Sequence, residues 1–134
     1  MKVTFLGTGT STGIPTIGVK RESCLSSDKR DNRLRSSILI EYKSKSILID
    51  CGPDFRQQML RINKTKIDAI FFTHEHADHT AGLDDIRPIS FHHGKIPIYA
   101  HKRVVDNLKN RFDYLFDKKG DYPGSPHVYP NIIN

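Results

Sequence analysis

The chain has 134 residues, enough for one domain with a buried core, and 37% hydrophobic against 27% charged residues describes a globular domain rather than a disordered tail. No apolar run approaches the roughly 20 residues of a membrane span, and Val3-Thr4-Phe5-Leu6 is too short for a secretory leader, so a cytoplasmic protein is expected. A formal net charge of +6 suits anionic partners without specifying one, and two cysteines, Cys24 and Cys51, are too few for a disulfide scaffold and are expected as free thiols.

The first predicted element is a strand at Val3–Leu6 that runs into the glycine-rich stretch Gly7-Thr8-Gly9-Thr10-Ser11-Thr12-Gly13. The spacing Gly-x-Gly-x-x-x-Gly is one residue too long for a dinucleotide fingerprint, and Ile14-Pro15 stands where a helix would have to begin, so the stretch reads as a loop whose backbone approaches its surroundings closely. Residues 14–34 have no clear period and read as a long ordered loop, with basic residues concentrated at 29–35. Two apolar runs, Ser37–Tyr42 and Ser46–Asp50, flank a turn at Lys43-Ser44-Lys45 and read as an antiparallel pair. Asp54 is placed to cap a helix that carries Phe55, Met59, Leu60 and Ile62 on one face. Ile67–Phe72 is nearly continuous apolar and reads as a buried strand, Ile96–Ala100 as another. His101–Phe112 is amphipathic, with Val104, Val105, Leu108 and Phe112 as its buried side. The tail 113–134, with Pro123, Gly124, Pro126 and Pro130, reads as irregular or as a short hairpin. Strands alternating with helices point to an α/β layered fold.

Chemistry concentrates in His74-Glu75-His76-Ala77-Asp78-His79, directly after the buried strand. Imidazole and carboxylate are the ligands of zinc and its borderline neighbours. His74 and His76, two apart on a chain leaving a strand, can project to one side; Asp78 and His79 follow after the chain has turned and can face a second ion. The C-terminal end of a buried strand is also where layered sheets deliver site residues. Independent placement of residues would give this pattern on the order of once in a thousand chains.

His-x-His-x-Asp-His after an apolar strand resembles the metallo-β-lactamase superfamily. Phe5–Thr10 and Asp50-Cys51-Gly52 resemble that family's first strand and loop and its structural aspartate. Arg33–Ser37, Pro53–Gln58 and Gly82–Pro88 resemble the branch that includes the phosphoribosyl cyclic phosphate phosphodiesterase and, with less of this detail, the transfer-RNA 3′-processing endonucleases. The resemblance implies that residues 1–134 are the N-terminal portion of a four-layer αββα sandwich with mixed sheets, the C-terminal half lying outside this chain. It implies two Zn²⁺ sites in the complete enzyme, with Mn²⁺ as the alternative ion. His74 and His76 would hold one ion, Asp78 and His79 the other, Asp78 would also orient the attacking hydroxide, and Asp50 would brace the loop from behind. Further ligands come from later segments in the family, and His92, His93, His101 and His127 do not sit in matching contexts; they are expected as surface or packing residues. Some relatives hold a structural zinc near the position of Cys24, but one cysteine cannot supply a tetrahedral site.

Asp84 and Asp85 are expected to brace the helix after the metal loop, with a catalytic carboxylate as the alternative, and Asp85 and Arg87 are the candidates for substrate contact. Arg87 could meet a phosphate or form a salt bridge to a nearby aspartate, and the sequence favours neither. The expected function is hydrolysis of cyclic or nucleotide-like phosphodiesters by a metal-bound hydroxide, with a small phosphate-bearing substrate and no membrane partner. Thioester or other ester hydrolysis on the same fold is one alternative. A non-catalytic fragment that forms a homodimer or swaps segments through exposed edges and apolar faces is another. A nucleic acid is admissible as substrate, but no binding signature indicates it.

Overall fold

The computed structural model describes residues 1–116 and 127–134. Strand β1 (Lys2–Gly7) leads through a long loop to a one-turn helix, α1 (Glu22–Leu25), a 3₁₀ turn at Lys29–Asp31 and the hairpin β2 (Ser37–Tyr42) and β3 (Lys45–Ile49). Helix α2 (Phe55–Arg61), strand β4 (Ala69–Phe71) and the single turn α3 (Ala77–Thr80) follow. After a 3₁₀ turn at Leu83–Ile86 come α4 (Arg87–His93), β5 (Ile96–Ala100), α5 (Lys102–Arg111), α6 (Asp113–Phe116) and β6 (Val128–Ile132). The six strands form one mixed sheet in sequential order, antiparallel from β1 to β3 and parallel from β3 to β6. Lys43 takes the left-handed conformation that the two-residue β2–β3 turn requires (φ 53°).

Strand alternation decides what each face of the sheet meets. Leu39, Leu48, Ile70 and Ile98 are in register across β2 to β5, and all four are buried. They form one core with Phe55 and Met59 of α2, Ile89 of α4 and Val104, Val105 and Leu108 of α5. The opposite face is also apolar. Phe5, Ile38, Ile49, Phe71 and Tyr99 lie in a second register row, with the Phe71 and Tyr99 rings stacked at 4.6 Å. Phe5 is 64% exposed, and Ile38, Ile49, Phe71 and Tyr99 are half-buried, with Ile40 and Ile47 beside them. Strands that read as continuous apolar runs are those buried on both faces, and among the described residues helices cover only one. Among the described residues no helix is long and apolar enough to cross a membrane.

Four expectations need correction. Asp54 occupies the N-cap position of α2 but gives its carboxylate to Arg35, not to the helix; an ion pair from a distant segment outcompetes a local cap. Leu60 is 63% exposed rather than part of the buried side of α2. The loop 14–34 carries the short turns at Glu22–Leu25 and Lys29–Asp31. Among the described residues of the tail, α6 and a strand β6 parallel to β5 form, and β6 accepts Pro130 because it is the edge of the described sheet. Pro123, Gly124 and Pro126 lie outside the described residues.

His127 joins β6 to the helical layer. It is 1% exposed and donates from Nδ1 to the Ser90 hydroxyl (2.6 Å), whose own proton goes to the Arg87 carbonyl. Its Nε2 has no hydrogen-bond partner among the described residues, so protonation there would bury a cation without an acceptor. Burial first, then the Arg87 guanidinium, hold its pKa below the usual imidazole value, with Asp84 opposing. The unfolded chain therefore takes this proton first on acidification. Stability is full above about pH 6.5 and falls below it, until the folded-state pKa is passed. Urea melts at pH 7.5 and 5.5 should show a larger loss for the parent than for His127→Gln, and equal losses would remove His127 as the cause.

The two faces of the sheet are separable by neighbouring substitutions on β4. Ile70→Ala is expected to cost about 2–5 kcal/mol, and Phe71→Ala distinctly less, in denaturant melts of this chain. Equal large losses would mean that the face away from the helices is covered in solution.

Candidate metal centre

Parallel strand β4 ends at Phe71, held by Phe72 N–H to the Tyr99 carbonyl (2.9 Å) and Asp50 N–H to the Phe71 carbonyl (2.8 Å). The next residues therefore leave from a fixed point at the C-terminal edge of the sheet. The chain extends through His74 and His76 and winds into α3, with His76 at its N-cap position and Asp78 and His79 inside the turn. This brings three imidazoles together. The His74 ring lies 4.7 Å from that of His76 and 4.1 Å from that of His79, and His79 Nε2 is 3.1 Å from Asp78 Oδ2.

One carboxylate orders this group from beneath. Asp50, 4% exposed and in the left-handed region (φ 59°), accepts from the Thr73 amide (2.8 Å), the Thr73 hydroxyl (2.8 Å) and His79 Nδ1 (2.7 Å). The Thr73 hydroxyl has thereby given its proton to Asp50, so it accepts from His74 Nδ1 (2.9 Å). With Nδ1 donating in both His74 and His79, Nε2 is the atom left for the ligand role in each, and that of His79 already stands beside Asp78 Oδ2.

Two glycines let the loop sit this low. A Cβ on Gly52 would stand 2.1 Å from the Asp78 carbonyl oxygen, and one on Gly82 2.0 Å from that of Gly52. Across this contact Cys51 N–H donates to the His79 carbonyl (2.8 Å) and Gly82 N–H to the Cys51 carbonyl (2.9 Å). From the other side, Arg111 of α5 donates to the Glu75 carbonyl (3.0 Å) and to the Thr80 hydroxyl (2.9 Å), while Arg103 lies 3.3 Å from the Glu75 carboxylate. Cys51 takes no part as a thiolate: burial, then the Asp85 and Asp50 carboxylates, push its thiol well above the usual range.

The donors converge in pairs rather than as a closed cage. Among the described residues, no three His, Cys, Asp or Glu side chains are placed to enclose one ion. The Asp78–His79 separation of 3.1 Å is close to the roughly 3.3 Å between two donors about 2.0–2.1 Å from one tetrahedral ion. In donor type, tautomer and spacing these residues fit a zinc-like ion, with open positions left for further ligands.

The other candidates fall differently. Arg87 reaches Asp84 (3.2 Å), which also accepts from the Tyr114 hydroxyl (3.0 Å); of the two readings of Arg87, the salt bridge is the one formed. Asp85 lines a cavity of about 300 Å³ with Arg56, Met59, Lys64 and His92, and none of the four clustered residues is in that lining. His92, His93 and His101 are exposed. Thr73 and Arg111 matter to the site and are not marked in the sequence, because each acts through a contact distant along the chain. Gly52 and Gly82, which lie in quoted motifs, have a sequence signal.

Residues 45–131 match the β-lactamase superfamily domain. A crystal structure of a diphosphatase from the PhnP family superposes with a TM-score of 0.88 at 44% identity, covering 98% of this chain and 50% of that one. A ribonuclease Z of Methanococcus maripaludis is 34% identical over 95% of this chain and 37% of its own length. A Porphyromonas gingivalis protein named octanoyltransferase is 46% identical over 94% of this chain but only 25% of its own length. The chain thus spans a quarter to a half of these relatives.

The Asp50 network makes a prediction that needs no metal. In ¹⁵N-resolved histidine spectra of the chain with chelator present, His74 and His79 should be Nδ1–H tautomers, and Asp50→Ala should release both into mixtures. Unchanged tautomers in that variant would show that Asp50 does not set them.

Proposed function

This chain belongs to the β-lactamase superfamily, and from that membership we propose that it carries the metal loop of a metal-dependent phosphodiesterase. The observation that carries the proposal is the convergence of His74, His76, Asp78 and His79 in one turn, with Asp50 fixing two of the imidazoles as ligands. In this reading residues 1–134 are the N-terminal portion of the domain. Its support is the apolar face left open on the sheet and the partial span of the relatives. A second sheet, from a longer chain or from a second copy, would cover the half-buried part of that face, Ile38, Ile49, Phe71 and Tyr99, and bring the missing ligands.

A bound divalent ion, zinc or manganese, supplies Lewis acidity toward a phosphoryl oxygen and brings water near neutrality in pKa. The residues of this chain do the rest. Nε2 of His74 and of His79 point outward as donors because Nδ1 of each is tied back. The Asp78 carboxylate, beside His79 Nε2, can accept a hydrogen bond from the attacking water and set its direction. The Asp50 carboxylate accepts from His79 Nδ1 at 2.7 Å and so holds the ring in one orientation. Arg111 and the Gly52–Gly82 contact keep the loop from swinging out.

Diphosphatase and ribonuclease Z, the names of two relatives, favour a phosphate ester over a thioester. Acyl transfer is not carried over from the third, since three quarters of that protein lies outside the match.

Elemental analysis after dialysis against zinc should find metal on the parent chain and roughly 10–100-fold weaker retention in Asp50→Asn. Protein that carries the chain in its natural length should hydrolyse bis(p-nitrophenyl) phosphate or a 2′,3′-cyclic nucleotide. Its His76→Ala variant should lose nearly all of that rate, and full activity in the variant would overturn the proposal.

A further inference from the structure

A second cavity, of about 370 Å³, opens where β1 runs into the glycine-rich loop, and its lining includes Phe5, Thr8, Arg30, Asn32, Arg33 and Arg61. Three arginines and, among the described residues, no aspartate or glutamate line it. The charge of Arg30 is met by Asp28, at 2.6 Å. Among the described residues, the other two are held only by neutral oxygens. Arg33 donates from Nε to the Arg30 carbonyl (2.6 Å) and from Nη1 to the Thr8 hydroxyl (2.8 Å), and Arg61 donates to the Leu6 carbonyl. Each thus keeps unused N–H donors and an uncompensated positive charge at a fixed place, the arrangement that recognises a phosphate.

The walls are stiff for a surface site. Gly9 N–H donates to the Leu34 carbonyl (2.7 Å), and Gly7 packs so closely that a Cβ there would stand 1.9 Å from the Arg35 carbonyl oxygen. Arg33 and Thr8 therefore keep their relative positions without a ligand. The Phe5 ring, 64% exposed at the edge of the cavity, offers a flat apolar surface beside the charges. Residues 33–35 also tie the cavity to the metal loop, since Arg35 Cβ lies 3.9 Å from where a Cβ on Gly52 would be.

We propose that this cavity is a phosphate-binding site, separate from the histidine cluster, for a phosphate group borne beside a flat apolar moiety such as a nucleobase. It needs no metal, so it stands or falls independently of the hydrolytic reading.

The test is an amide NMR titration of the chain in chelator at constant ionic strength, with inorganic phosphate, adenosine 5′-monophosphate and adenosine. Saturable shifts at Gly7, Thr8 and Asn32–Leu34 are expected with the two phosphates, and none with adenosine. Arg33→Gln/Arg61→Gln should weaken binding roughly tenfold or more, while Lys109→Gln, on exposed α5, leaves it unchanged. If the double variant does not fold, Arg33→Gln alone carries the same expectation with a smaller loss. Equal affinity for the two phosphates assigns a bare phosphate site; tighter nucleotide binding that Phe5→Ala abolishes assigns a nucleotide. Unsaturable shifts, equal weakening by Lys109→Gln, or adenosine binding as well as its monophosphate would each overturn the proposal.

Discussion

The site depends on one buried carboxylate. Asp50 directly follows β3 in a conformation that few non-glycine residues adopt, and the turn drops its side chain under the loop that leaves β4. Two hydrogen bonds go to Thr73, one to His79, and a fourth interaction reaches His74 through the Thr73 hydroxyl. An uncompensated carboxylate at 4% exposure is costly, and these donors are what offset the cost. The same bonds leave Nε2 of both rings for the ligand role, so the stability of the β3 terminus and the readiness of the ligands have a single cause. Backbone contact at Gly52 and Gly82 sets the depth of the loop over Asp50, and a side chain at either would lift α3 off its support.

Much of this was legible in the sequence, for physical reasons that differ by element. The hairpin β2–β3 and strands β4 and β5 announced themselves as apolar runs between turn residues, and His74 to His79 lie within one turn of chain and need no tertiary knowledge to be grouped. What failed was competition between local and distant partners. Asp54 has the right residue type and position for a cap, but Arg35 offers it an ion pair with two hydrogen bonds. Pro130 argued against a strand until β6 proved to be an edge. Thr73 and Arg111 have no local signal, because each matters only through a partner that folding brings near.

The sheet carries a further lesson about apolar patterning. Runs such as Ser37–Tyr42 and Ile67–Phe72 have no polar face, which usually marks strands covered on both sides. In the described residues one side packs under α2, α4 and α5, while Phe5, Ile38, Ile49, Phe71 and Tyr99 remain partly open on the other. An apolar surface of this continuity is unusual on a monomer that has no use for it. The histidine cluster, at the end of β4, has its ligands in pairs and open positions beyond them. Both observations are met at once if whatever covers the sheet also completes the metal shell.

The basic residues acquire a different meaning once placed. The sequence concentrates them at 29–35, where the bland reading is a solvated surface. In the fold Arg30 is neutralised locally by Asp28, Arg35 is spent on Asp54, and Arg33 is the residue of the run that a neutral hydroxyl and a carbonyl hold toward a cavity. Arg61, from a helix 28 residues further along, joins it there because its guanidinium reaches back to the Leu6 carbonyl. Arg33 and Arg35 alternate along one short segment, one lining the cavity and the other bracing the start of α2 beside the metal loop. The cavity wall and the support of the metal loop are therefore joined by covalent continuity rather than by a long chain of contacts.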